Sequence, residues 1–89
     1  MMAVVNIVVH HEWGKGEEGK AKGFFDQILK ASKSNGLPSG FSLVSGYIDN
    51  AQRSAFCVWQ APSMEAFSQV AKQLNPPTRF KAYVVDKLQ

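Results

Sequence analysis

Cysteine is almost missing from this chain: Cys57 stands alone among 89 residues. A single thiol cannot build an intramolecular disulfide framework or supply a Cys-rich zinc module. Long apolar runs are missing too, and nothing approaches the ~18 consecutive apolar residues that a membrane span requires. The start MMAVVNIVV carries neither the basic n-region nor the small-residue cleavage site of a signal peptide. A cytoplasmic protein with no membrane partner is therefore expected. Positive charge is present, ten basic against seven acidic residues, but it is never gathered, with no cluster of three or more. A nucleic-acid footprint needs basic residues collected on one face, so no nucleic-acid partner is expected.

What is there suits one domain covering residues 1–89. Apolar residues make up 45% of the chain and charged residues 19%, enough to fold but with a thin core. A chain of this size buries only somewhat more than ~60% of its unfolded surface, and association with a second copy is one way to bury more.

From Val4 to Trp13 the residues alternate between two sets, one with Val5, Ile7, Val9 and His11, the other with Val4, Asn6, Val8 and His10. The density of β-branched residues makes this a strand. From about Glu17 to Ser32 the period becomes helical, with Ala21, Phe24, Phe25, Ile28 and Leu29 on one stripe, acids at the start and Lys30 near the end. SKSNGLPSG is a loop, Phe41 to Ile48 a second strand, DNAQR a hairpin connection and Ser54 to Gln60 a third strand. Ala61-Pro62-Ser63 then stops the strand and starts a helix, with Ser63 as N-cap, until Asn75-Pro76-Pro77 ends it. Arg79 to Lys87 is the last strand.

The order β-α-β-β-α-β predicts an α+β fold of the ferredoxin-like kind, a four-stranded antiparallel sheet with two helices on one face. The other face stays bare in a single chain. If the more uniformly aliphatic sets pack on the helices, the bare face collects Asn6, His10, Tyr47, Cys57, Trp59 and Tyr83. So much aromatic area signals a partner: a homodimer packed sheet on sheet, or a small flat ligand.

Two motifs in VVHHEWGKGEEGK invite chemistry. GKGEEG, Gly14 to Gly19, matches the dinucleotide pattern G-x-G-x-x-G, follows a strand and opens a helix. It nevertheless fails, because the chain is too short for a Rossmann unit and because Glu17 and Glu18 sit where a pyrophosphate would lie. A flexible entry to the first helix is the expectation. His10 and His11 are the only histidines and are adjacent. Imidazole is the commonest metal ligand, which makes a divalent transition metal a candidate cofactor, with Glu12 as a further ligand on the side of His10. Neighbours on a regular strand point to opposite faces, however, so both can grip one ion only through a bulge or across a dimer. On the residues alone, a strand end near solvent with its imidazoles hydrogen-bonded to backbone is the favoured reading over the metal. Cys57 has nothing near it in sequence to lower its pKa, and a small buried hydrophobe is the expectation. An RNA-recognition module shares the element order, but RSAFCVWQ puts Phe56 and Trp59 on opposite faces and the first strand has no aromatic before Trp13.

The segment GYIDNAQRSAFCVWQAPSMEAFSQVAKQL resembles the small dimeric α/β-barrel (ferredoxin-like) proteins, in particular a family of short bacterial and archaeal proteins with nickel-binding members. The recurring F-C-x-x-x-A-P-x-x-E-A pattern stands here as Phe56, Cys57, Ala61, Pro62, Glu65 and Ala66. The resemblance implies a homodimer and a divalent, nickel-like metal drawing on His10 and perhaps on His11. More distant barrels of this kind are cofactor-independent monooxygenases or haem-handling enzymes that use the cavity between helices and sheet. Those monooxygenases often carry a histidine on the helix after the third strand, and SMEAFSQVAKQL has none. The expectation is therefore a small homodimeric binding protein, leaning away from catalysis, for a divalent metal or a small apolar ligand. A monooxygenase or cyclase using the barrel cavity, or a purely structural dimer, are the alternatives.

Overall fold

The computed structural model describes residues 4–88; the first three residues, part of the start read above for a signal peptide, lie outside it. The elements are β1 (Val5–Glu12), α1 (Glu18–Lys33), β2 (Ser42–Asp49), β3 (Ser54–Ala61), α2 (Met64–Leu74) and β4 (Arg79–Val85). The strands form one antiparallel sheet in the order β2-β3-β1-β4, the ferredoxin-like α+β architecture. No helix among the described residues is long and apolar enough to cross a membrane.

Strand alternation and register decide which side chains meet the helices. On β1, Ile7, Val9 and His11 are buried while their neighbours are not. Antiparallel pairing sets Ile7 against Trp59, Val9 against Cys57 and His11 against Ala55. These residues therefore share the helix-facing side, where Ile28 of α1 and Phe67 and Ala71 of α2 complete the main core. A smaller cluster of Trp13, Ala21 and Ala55, with Phe25 against it, closes the end near the β1–α1 loop.

The placing of Cys57 and Trp59 corrects the expectation that they line the bare face. Their alternation with Ala55 and Ala61 was legible, but the side was not, and pairing with the aliphatic set of β1 takes them under the helices. Asn6, His10, Tyr47 and Tyr83 do lie on the open face: Asn6 is paired with Gln60, His10 and Tyr47 with Phe56, and Tyr83 with Val8. Tyr47 reaches that face through a bulge, where Leu43 pairs with Trp59 and Ser45 already with Val58, leaving Val44 as the extra residue.

The helix ends follow local chemistry. Ser63 is extended at the N-cap of α2, and its Oγ accepts the Ala66 N–H at 3.0 Å. Asn75 closes the same helix in the left-handed region at φ 48°, donating its N–H to the Ala71 carbonyl at 3.1 Å before the two prolines. Ser63→Ala removes the side-chain cap of that first turn and is expected to lower stability by about 1 kcal/mol. Urea unfolding followed by circular dichroism measures this, and Ser63→Asp should restore most of the loss.

Candidate binding cavity

GKGEEG holds itself rather than an anion. The Gly14 N–H donates to Glu17 Oε1 at 2.8 Å, and the Glu17 N–H donates back to the Gly14 carbonyl at 3.1 Å. A side chain at Gly14 would bring its Cβ to 2.7 Å of that carboxylate oxygen, and Gly16 turns the chain at φ 89°. Both glycines thus serve a closed turn whose anion is the protein's own carboxylate. Its own backbone N–H, and then that of Gly16, hold the Glu18 carboxyl below the usual range, in keeping with an acid at a helix start.

The paired histidines separate to the two sides of the sheet. His10, on the open face, lies flat on Phe56 with ring centroids 4.5 Å apart and planes 7° apart. His11, 5% exposed, points under the helices, where its Nδ1 shares a 2.8 Å hydrogen bond with Thr78 Oγ1. The rings of Phe24, Phe25 and Phe80 surround it at centroid distances of 6.3, 5.1 and 5.9 Å. Burial among aromatics, with the His10 ring next along the strand, pushes the His11 pKa down from 6.5 to about 4. The ring is therefore neutral at physiological pH, fixed by Thr78 at one nitrogen. Among the described residues no group of three His, Cys, Asp or Glu side chains stands close enough to hold a metal ion.

His11 also forms part of the wall of a cavity of about 420 Å³ between the helices and the sheet. Val9, Cys57, Trp59 and Phe80 form its floor, α1 contributes Phe24 and Ala31, α2 contributes Val70 and Leu74, and Leu37 and Phe41 close it from the loop. Gln27 and Gln73 are among its few polar lining residues. Cys57 sits here as a protonated thiol, since burial pushes its pKa up to about 11. Of the residues singled out from sequence, this cavity brings together His11, Cys57 and Trp59. His10, Asn6, Tyr47 and Tyr83 do not line it; Tyr47 lines a second groove beside α1.

Sequence reasoning missed Thr78 and the phenylalanine cage. Thr78 lies 67 residues from His11, and only its place directly after Pro76-Pro77 hints that its backbone is fixed. No protein-family model matches the chain, and no curated protein or solved structure matches it at a significant level. The ferredoxin-like topology is thus carried by the element order and the sheet itself.

Proposed function

We propose that the chain is a small homodimeric binding protein that takes a small apolar ligand in the cavity between its helices and its sheet. The cavity carries this reading: at about 420 Å³ it falls within the ~300–1,000 Å³ of ordinary small-molecule sites, apolar with few polar groups. His11 supplies the orienting group. A neutral imidazole tied to Thr78 at Nδ1 leaves Nε2 for a hydroxyl or carbonyl on an otherwise apolar molecule. Of the two ligand classes expected from sequence, the metal has less behind it, because His10 and His11 open onto opposite sides. The homodimer reading is supported by the open face, where Phe56, Tyr47 and Tyr83 are exposed around the His10 stack, a patch of the kind that marks association.

The cofactor-independent monooxygenase or cyclase reading stands second. α2 lacks a histidine, but His11 on β1 brings a neutral imidazole to the same cavity from the sheet side.

Calorimetric titration with 1-naphthol, an aromatic carrying one hydroxyl, tests the binding reading. Saturable 1:1 binding is expected. Ala31→Trp, which fills the cavity from a half-buried position on α1, should abolish it. His11→Leu combined with Thr78→Val should weaken it by roughly tenfold, the worth of one good hydrogen bond. Absence of saturable heat with the wild-type chain, or equal binding by a folded Ala31→Trp chain, would sink the proposal.

A further inference from the structure

We propose that β2 is an association edge, at which a second copy of the chain adds its own β2 in antiparallel register centred on Tyr47. This contact joins sheets edge to edge and is separate from the face-to-face contact proposed above.

The two edge strands of the sheet are built differently. β4 carries Arg79 and Lys81 within the strand, both exposed, and Asp86 and Lys87 follow it. Charges of this kind are a common protection of a free edge. β2, SLVSGYID, has no Lys, Arg or Pro, and its only charge is Asp49 at the very end. Its one protective device is the bulge at Val44, which bends the first half and leaves Ser45 to Asp49 as a regular strand. Beside that half lies a groove of about 420 Å³, formed by Phe25, Ile28 and Leu29 of α1 and by Gly46, Ile48 and Cys57 of the sheet, with Lys22 and Asp26 of α1 at its side. Gly46 opens the groove. It faces the helix side, paired with Cys57, and a Cβ there would meet only the Phe56 carbonyl oxygen at 3.9 Å, so no local contact requires a glycine.

The occupant that fits is the same strand. A two-fold axis perpendicular to the sheet keeps the helices of both copies on one side only if residues of the same face oppose one another. The axis must then pass through Gly46, Tyr47 or Ile48. Centring on Gly46 sets glycine against glycine and draws in the bulge, and centring on Ile48 sets Asp49 against Tyr47 and leaves few pairs. Centring on Tyr47 sets Ile48, 45% exposed, against Gly46 of the second copy, so that each isoleucine fills the space above the opposite glycine. Tyr47, 66% exposed, meets its own copy on the open face, and Ser45 opposes Asp49 as a hydroxyl donor to a carboxylate. Among the strand pairs no like charges are opposed, and a large residue meets a small one on the helix side.

Sedimentation at high micromolar concentration separates this contact from the face-to-face one. With both contacts formed, the wild-type chain is expected as a four-chain species. Ile48→Lys and Gly46→Val should each halve the mass while circular dichroism shows a folded chain, and Phe56→Lys on the open face should halve it by the other route. Ile48→Lys with Phe56→Lys should give single chains. A mass unchanged by both Ile48→Lys and Gly46→Val would overturn the edge contact, whatever Phe56→Lys does. A mass sensitive to Ile48→Lys but not to Phe56→Lys would uphold the edge and discard the face-to-face dimer. A wild-type monomer would discard both. In a chain carrying Phe56→Lys and Cys57→Ser, Tyr47→Cys should form an intermolecular disulfide, because directly opposed residues of an antiparallel pair have Cα atoms ~4.5–5.5 Å apart, within the ~4.4–6.8 Å that a disulfide spans. Cross-linking through Ser45→Cys in equal yield would overturn the Tyr47-centred register.

Discussion

Ile7→Ala is expected to remove about 3 kcal/mol of folding stability, a large share of what a domain of this size holds. Ile7 has no exposed surface and sits on β1, a central strand, paired with Trp59 on one side and Val84 on the other. Truncation removes three carbons from the main cluster and leaves a hole that the hydrogen-bonded neighbours cannot close by moving. The loss combines the transfer term with the cavity term. Val84→Ala removes a side chain on the same side of the sheet, opposite Ile7 in register but 53% exposed, and should cost under about 1 kcal/mol. Urea unfolding of both variants measures the contrast. Equal losses would mean that the core is not centred on the β1–β3 pair.

The elements of this core were legible in the sequence wherever local chemistry alone decides them. Alternation of β-branched residues marked β1, Ser63 marked the start of α2, and Asn75-Pro76-Pro77 marked its end. The sidedness of β3 was not legible. Alternation says that Cys57 and Trp59 share a face with Ala55 and Ala61, but a strand carries no local mark of which face meets the helices. The guide used, aliphatic in and aromatic out, failed for Trp59 because a large ring filling the floor between two helices buries more apolar area than any aliphatic residue could. The bulge at Val44 had no signal either, since the extra residue reads as one more member of an apolar run.

The site divides in the same way. That His10 and His11 part to opposite faces follows from strand geometry, and the structure places them so. The identity of the inward one, its partner Thr78 and the cage of Phe24, Phe25 and Phe80 depend on contacts between residues far apart in sequence, which no spacing rule reports. Chain length and charge exclude GKGEEG as a phosphate loop, and the closed turn between Gly14 and Glu17 gives that exclusion its geometry.

Acidification from pH 7 to pH 4 is expected to destabilise the fold by about 2–3 kcal/mol through His11 alone. Burial lowers the His11 pKa from 6.5 to about 4, so the folded chain resists a proton that the unfolded chain accepts readily. Between these two values the unfolded state binds more protons, and stability must rise with pH across that window. It is therefore complete above about pH 6.5, falls progressively as the pH drops towards 4, and falls no further on this account below that. The groups packed around the ring are Phe24, Phe25, Phe80 and the Thr78 hydroxyl, none of which carries a negative charge to pair with an imidazolium, while the neighbouring His10 on the same strand adds to the penalty. The Glu18 carboxyl, held below its ordinary range, loses its contribution only at lower pH, so the two effects fall in different windows. Unfolding free energies measured in urea from pH 7.5 to 3.5 trace the curve. His11→Phe combined with Thr78→Val, which keeps an aromatic in the cage and leaves no hydroxyl unpaired, should flatten it between pH 6.5 and 4. An acid loss of the same size in that double variant would place the titrating group elsewhere in the chain. A flattened curve would identify His11 as the side chain whose neutrality the helix-facing core requires.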